Sequence, residues 1–92
     1  MTIYRIYTEN LKQNKLEKAV LRYFDRATFF KGQGISKQWG REKSLLIEII
    51  SEQLFNNAEP LNRLCKDIKI INNQEAVYVL EIGSSGTRSY LI

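Results

Sequence analysis

Residues 31–43 read KGQGISKQWGREK and hold three of the chain's five glycines, its only tryptophan and four of its fourteen basic side chains. Gly32, Gly34 and Gly40 admit backbone conformations closed to other residues and let a ligand approach the main chain closely. Their successive N–H groups can form an anion-holding concavity. Trp39 offers a flat stacking surface suited to a purine or an arginine. Lys31, Lys37, Arg41 and Lys43 supply countercharge, with Arg41 in the forked form that suits phosphate, and Gln33 adds an amide to the same run. Together these residues describe a nucleotide or phosphate clasp. The plainer alternative has the glycines making turns and Trp39 packing on a neighbouring subunit. No Walker-type Lys-Ser/Thr follows to distinguish the two.

The rest of the chain is poor in catalytic types. It has no histidine, which removes Ser-His-Asp and Cys-His nucleophile pairs and the commonest zinc ligand. Glu9 and Glu48 are scattered carboxylates without the clustering of a metal site or a hydrolase. Cys65, the single cysteine, falls at an apolar helical position, where burial rather than reactivity is expected. The reading is therefore of a non-enzymatic protein with no catalytic residue, no metal and no cofactor.

The elements that position these residues follow from periodicity. Residues 3–8, IYRIYT, are β-branched and aromatic and predict a strand. Asn14 and Glu17 stand in capping-box spacing ahead of Leu16, Val20, Tyr23 and Phe24, predicting a helix over about 15–25. ATFFK (27–31) and KSLLIEIIS (43–51) predict two strands joined by a loop of about eleven residues, 32–42. The second is apolar on nearly both faces and so belongs in the middle of a sheet. Its Glu48 is expected to pair with Arg5 across the sheet, because an unpaired buried carboxylate is costly. Asn57 is the expected cap, and Pro60 the tolerated first-turn residue, of a second helix of about 60–70 that docks through Leu61, Leu64, Cys65 and Ile68. EAVYVLEI (75–82) is a strand, GSSG a turn, and TRSYLI (87–92) a short last strand.

The order β-α-β-β-α-β with an extra strand predicts an α+β, ferredoxin-like single domain over residues 1–92, with one antiparallel sheet and both helices on one face. Right-handed crossovers give strand order 4-1-3-2. The other face should expose some of Tyr4 or Ile6 and of Leu46 or Ile50, plus residues from Tyr78 to Ile82. Such a surface is expected to be covered by further copies of the chain. The five tyrosines read as core-edge residues.

Charge is uneven. Between Lys12 and Lys43 there are nine basic and three acidic residues, a balance of +6, while the remainder carries −2. A positive field on one helix and one loop favours anionic partners, or else is simply a solvated face. No apolar run approaches a membrane span, and MTIYRIYTEN lacks a signal-peptide pattern, so a cytoplasmic setting is expected.

With these residues in place, TFFKGQGISKQWGREKSLLIEII resembles the strand–loop–strand segment of PII-type signalling proteins, and the terminal helix, EAVYVLEI and final strand resemble PII and the related CutA-like proteins. The resemblance implies a trimer in which the open sheet faces meet and small ligands bind between subunits. The basic nucleotide-binding residues that PII proteins carry after the fourth strand are not recognisable in GSSGTRSYLI, apart from Arg88. The shorter loop and the missing modifiable tyrosine argue against carrying over ATP binding or nitrogen sensing. The compact layout also resembles small bacteriophage and mobile-element proteins. The expected function is accordingly a homo-oligomer, expected as a trimer, that holds an anionic, nucleotide-derived small molecule in host cytoplasm, a counter-defence protein that sequesters a signal without cleaving it. Two alternatives stay open: inhibition of a host defence nuclease by direct protein contact, and nucleic-acid binding.

Overall fold

A computed structural model describes residues 1–38, 40–52 and 58–92. The elements are β1 (Thr2–Glu9), α1 (Gln13–Tyr23), β2 (Thr28–Ser36), β3 (Gly40–Ser51), α2 (Ala58–Asn72), β4 (Tyr78–Gly83) and β5 (Gly86–Leu91). The strands form one antiparallel sheet in the order β2-β3-β1-β4-β5. This is the ferredoxin-like βαββαβ arrangement with β5 added outside β4. Strands β1 and β3 lie inside the sheet, as their apolar sequences require.

Alternation sorts the side chains. Tyr4 and Ile6 of β1, Leu45, Ile47 and Ile49 of β3, and Val77 and Val79 around β4 are buried. They meet Leu16, Ala19 and Val20 of α1 and Leu61, Leu64, Cys65 and Ile68 of α2 in one core. Each large apolar side chain so buried contributes about 1.5–3 kcal/mol. Burial also pushes the Cys65 thiol up to about 12, so it packs as a small hydrophobe. Among the described residues no helix is long and apolar enough to cross a membrane.

The open face differs from expectation in one respect. Tyr4 and Ile6 belong to the helix-covered side, so β1 presents Ile3, Arg5 and Tyr7 instead. The register then lines up Phe30, Leu46, Tyr7, Tyr78 and Leu91 as one row across five strands. The Tyr7 and Tyr78 rings sit 5.7 Å apart and tilted by 58°. In the next row Arg5 Nε donates to Glu48 Oε2 at 3.0 Å, the cross-strand pair that Glu48 needs.

Helix ends depart from the sequence reading in an instructive way. Asn14 is not a cap: α1 starts two residues earlier than expected, at Gln13, and the N-cap is Lys12, whose carbonyl accepts from the amides of Lys15 and Leu16 at 3.1 Å, with no side-chain cap bond. Leu16, Ala19 and Val20 face the core as the apolar spacing requires, and the first turn is closed by the Lys12 carbonyl instead of an Asn14 side chain. Glu17 instead accepts from Gln13 Nε2 at 3.4 Å. The expected cap Asn57 lies outside the described residues. At its far end α2 closes on Asn73 in the left-handed region (φ 52°), with the amides of Asn73 and Gln74 returning to the carbonyls of Ile70 and Lys69. Asn72 Nδ2 then ties the helix to β1, donating to Thr8 Oγ1 and the Glu9 carbonyl, both at 3.0 Å.

The eleven-residue loop 32–42 does not exist as a loop. The β2–β3 ladder continues through Gly32↔Ser44 and Gly34↔Glu42 to Ser36↔Gly40, so the two strands run on as an arm. The physical reason is period two: the glycines share one face with serines while long side chains occupy the other, and ladder hydrogen bonds hold both strands extended. Gly40, at φ +72°, supplies the left-handed residue that closes the hairpin.

Candidate functional site: an edge cleft beside β3

The arm gathers most of the side chains that the sequence singles out. Lys31, Gln33, Arg41 and Lys43 stand on the face shared with buried Leu45, and Gly32, Gly34 and Gly40 stand on the opposite face with Ser36, Glu42 and Ser44. Lys37 sits in the turn, and Trp39 lies outside the described residues. One face is thus basic, and the other is lined by glycines and serines with Glu42 standing opposite Gly34. A Cβ on Gly34 would meet nothing within 4 Å, while one on Gly32 would come within 3.2 Å of Ser44 Oγ. The arm is exposed along most of its length.

Arg88 does not join this group within one chain. It lies on β5, the edge strand opposite β2. There its Nε donates to Glu81 Oε2 at 2.7 Å, and its guanidinium sits 5.4 Å from the Tyr90 ring centroid. Tyr90 OH donates to the other carboxylate oxygen at 3.3 Å. Burial, then the adjacent Glu81 charge, pushes the Tyr90 hydroxyl up to about 12.

Concavity appears at the other end of β3. Strand β2 begins at Thr28, opposite Glu48, so β3, which runs on to Ser51, extends past the start of its neighbour. Helix α1 ends at Tyr23, and Phe24 turns into extended backbone (φ −134°, ψ 148°), carrying the chain past this notch towards β2. The result is a cleft of about 720 Å³, within the range of small-molecule sites. Tyr23, Phe24, Asp25 and Arg26 form one wall, Ile49 to Glu52 the second, and Pro60 of α2 the third.

Its chemistry is mixed in a definite proportion. Tyr23, Phe24 and the isoleucines give apolar and aromatic surface. Asp25, Arg26 and Glu52 are exposed and none is in an ion pair among the described residues. Two negative groups and one positive group are therefore free to meet a ligand. Tyr23 is held from behind: its hydroxyl donates to Asp67 Oδ2 at 2.7 Å, and that bond raises its pKa above the ordinary tyrosine value. Sequence reasoning missed Asp25, Arg26 and Glu52. Only chain topology brings residues 25–26 beside residue 52, and the sole local signal is that each pair of polar residues interrupts an apolar element at its end.

No family model and no curated protein matches this chain. Solved structures do. A phage SAM lyase in the apo state superposes with a TM-score of 0.76 at 16% identity, covering 99% of this chain and 87% of that one. A phage SAM lyase in complex with S-methyl-5'-thioadenosine gives 0.73 at 18% identity, covering 99% of this chain and 88% of that one. At such identities the likeness is one of fold. It nevertheless overturns the expectation of a non-enzymatic sequestering protein, because the same architecture over nearly the whole chain serves enzymes. The absence of histidine removes histidine-based proton transfer and no more, since carboxylates, lysines and tyrosines also serve as acids and bases.

Proposed function

We propose that this chain is a lyase that cleaves S-adenosylmethionine, with the substrate seated in the edge cleft. The observation that carries the reading is the match over 99% of the chain to phage SAM lyases, one of them holding S-methyl-5'-thioadenosine. The charge inventory of the cleft supports it independently. At neutral pH the substrate carries a sulfonium, an α-ammonium and an α-carboxylate; the cleft offers Asp25, Glu52 and Arg26. The ring faces of Tyr23 and Phe24 suit the adenine.

In the reaction the bond between sulfur and the γ carbon breaks, and its electron pair returns to sulfur as the neutral thioether 5'-methylthioadenosine. The γ carbon is satisfied in one of two balanced ways. Either a β proton departs to Asp25 or Glu52, or the substrate's own carboxylate closes on the carbon. Neither consumes water. The chain's contribution is to fold the substrate, hold its charges and keep solvent away from the sulfonium.

The proposal extends to assembly. The open sheet face exposes Phe30, Ile50, Tyr7, Tyr78 and Leu91, a surface that further copies of the chain would cover, the trimer being the state expected from the PII-like resemblance. In such an assembly the glycine-lined face of one copy's arm, at Gly32 and Gly34, would close over a neighbour's cleft. A phage-encoded enzyme of this kind would act by destroying the host's methyl donor rather than by holding a signal.

Incubation of the purified protein with S-adenosylmethionine, followed by chromatography and mass spectrometry, tests the reading. The expected result is 5'-methylthioadenosine together with a four-carbon product whose mass and retention identify the route. No thioether product at micromolar enzyme, with no calorimetric binding of 5'-methylthioadenosine, ends the proposal.

A further inference from the structure

The last turn of α1 is anchored from the neighbouring helix at the point where the cleft begins. Asp67, on α2, accepts from Tyr23 OH at 2.7 Å and from Arg22 Nη1 at 3.2 Å through the same oxygen, Oδ2. The core of α2 does not need this residue, since Leu64, Cys65 and Ile68 are fully buried without it. Tyr23 does need it. Its ring packs on the rim of the core, is half-buried and lines the cleft, so its hydroxyl contact with Asp67 is what fixes its outer end.

We propose that Asp67 is a positioning residue for ligand binding, holding the Tyr23 ring as a fixed wall of the cleft. This rests on the reading of the cleft as the substrate site. The latch acts before binding: a ring already in place costs the ligand nothing to order, so its benefit falls on affinity for the adenosyl portion and not on bond cleavage. Arg22 contributes by holding the carboxylate in line with the tyrosine hydroxyl, a charge-assisted contact of the stronger kind.

The test uses Tyr23→Phe, Asp67→Ala, Asp67→Asn and the Tyr23→Phe/Asp67→Ala double variant, with KM and kcat for S-adenosylmethionine, Kd for 5'-methylthioadenosine, and Tm. Tyr23→Phe and Asp67→Ala should each raise KM and Kd about three- to tenfold, the range one hydrogen bond spans, with kcat within about twofold. The double variant should be no worse than the worse single. Asp67→Asn, whose amide oxygen still accepts the hydroxyl, should stay within about twofold of the parent. Unchanged KM and Kd in Tyr23→Phe and Asp67→Ala, even with a lowered Tm, would leave Asp67 as a tie between helices and overturn the latch alone. A parent protein that neither cleaves the sulfonium nor binds the thioether removes the cleft reading, and the latch with it.

Discussion

The β2–β3 arm places four basic side chains and three glycines within thirteen consecutive residues, whereas the cleft draws Asp25, Arg26 and Glu52 from two segments that only the sheet brings together. The two regions sit at opposite ends of the β2–β3 ladder. On the arm, period-two alternation sends chemically suggestive neighbours to opposite faces, so the apparent clasp separates into a basic side and a glycine-lined side. At the cleft, residues with no periodic relation converge because β3 is longer than β2. Density of interesting residues along a chain therefore says little about convergence in space. Unequal strand lengths in a sheet say more, because each overhang leaves a concave edge.

The largest effect that would separate the two regions is on catalysis. Replacing Asp25 with Asn and Glu52 with Gln together should lower kcat/KM for S-adenosylmethionine about 30- to 100-fold, as expected for losing two charge-assisted contacts. Binding of the neutral thioether should change by less than about threefold. Equal losses for the charged and uncharged ligands would mean that the carboxylates shape the cleft and do not read its charge. Calorimetry with both ligands distinguishes the cases.

Gly34→Val should have the next largest effect, and it sharpens the comparison from the arm's side. Nothing within 4 Å of a Cβ opposes the substitution in one chain, and Gly34 has no positive φ. A β-branched residue there should hold or slightly raise Tm. If the glycine-lined face closes over a neighbour's cleft, kcat/KM falls at least about tenfold all the same. Activity within twofold of the parent would show that the arm's glycine-lined side faces only water.

Gly40→Ala probes the arm's geometry alone. With φ at +72° the added Cβ is strained whatever the space around it, and a loss of about 1 kcal/mol in denaturant unfolding is expected. An unchanged midpoint would mean that the hairpin closes by another turn.

How far the sequence reached is explained by the same contrast. The ferredoxin-like order was readable because Leu45, Ile47 and Ile49, and Leu61, Leu64, Cys65 and Ile68, keep strict strand and helix periods over whole elements. The Arg5–Glu48 pair was readable because a carboxylate in a central strand leaves few options, and the register delivers it. Asn14 misled because a capping signal is worth only about 1 kcal/mol, and the backbone closes the first turn without it, through the Lys12 carbonyl. The glycines misled because Gly is usually punctuation, yet alternation with long side chains makes it one face of a strand. The cleft had no local signature beyond polar residues at the ends of two apolar elements, since its walls depend on where β2 stops relative to β3.

Arg88 provides the smallest expected effect and the finest test of whether the two edges of the sheet cooperate. Its guanidinium is largely exposed and held by Glu81 and the Tyr90 ring on β4–β5, away from both arm and cleft in one chain. An exposed pair of this kind contributes little, so Arg88→Ala should cost less than about 0.5 kcal/mol in unfolding free energy. If catalysis is complete within a single chain, kcat/KM should also stay within about twofold. In an assembly that brought the β5 edge of one copy near the cleft of the next, by contrast, Arg88 would approach a neighbour's ligand. A tenfold loss of kcat/KM at unchanged stability and unchanged sedimentation would therefore assign Arg88 to a site that no single copy contains. It would also account for a guanidinium held at Nε by Glu81 on an otherwise solvent-facing edge.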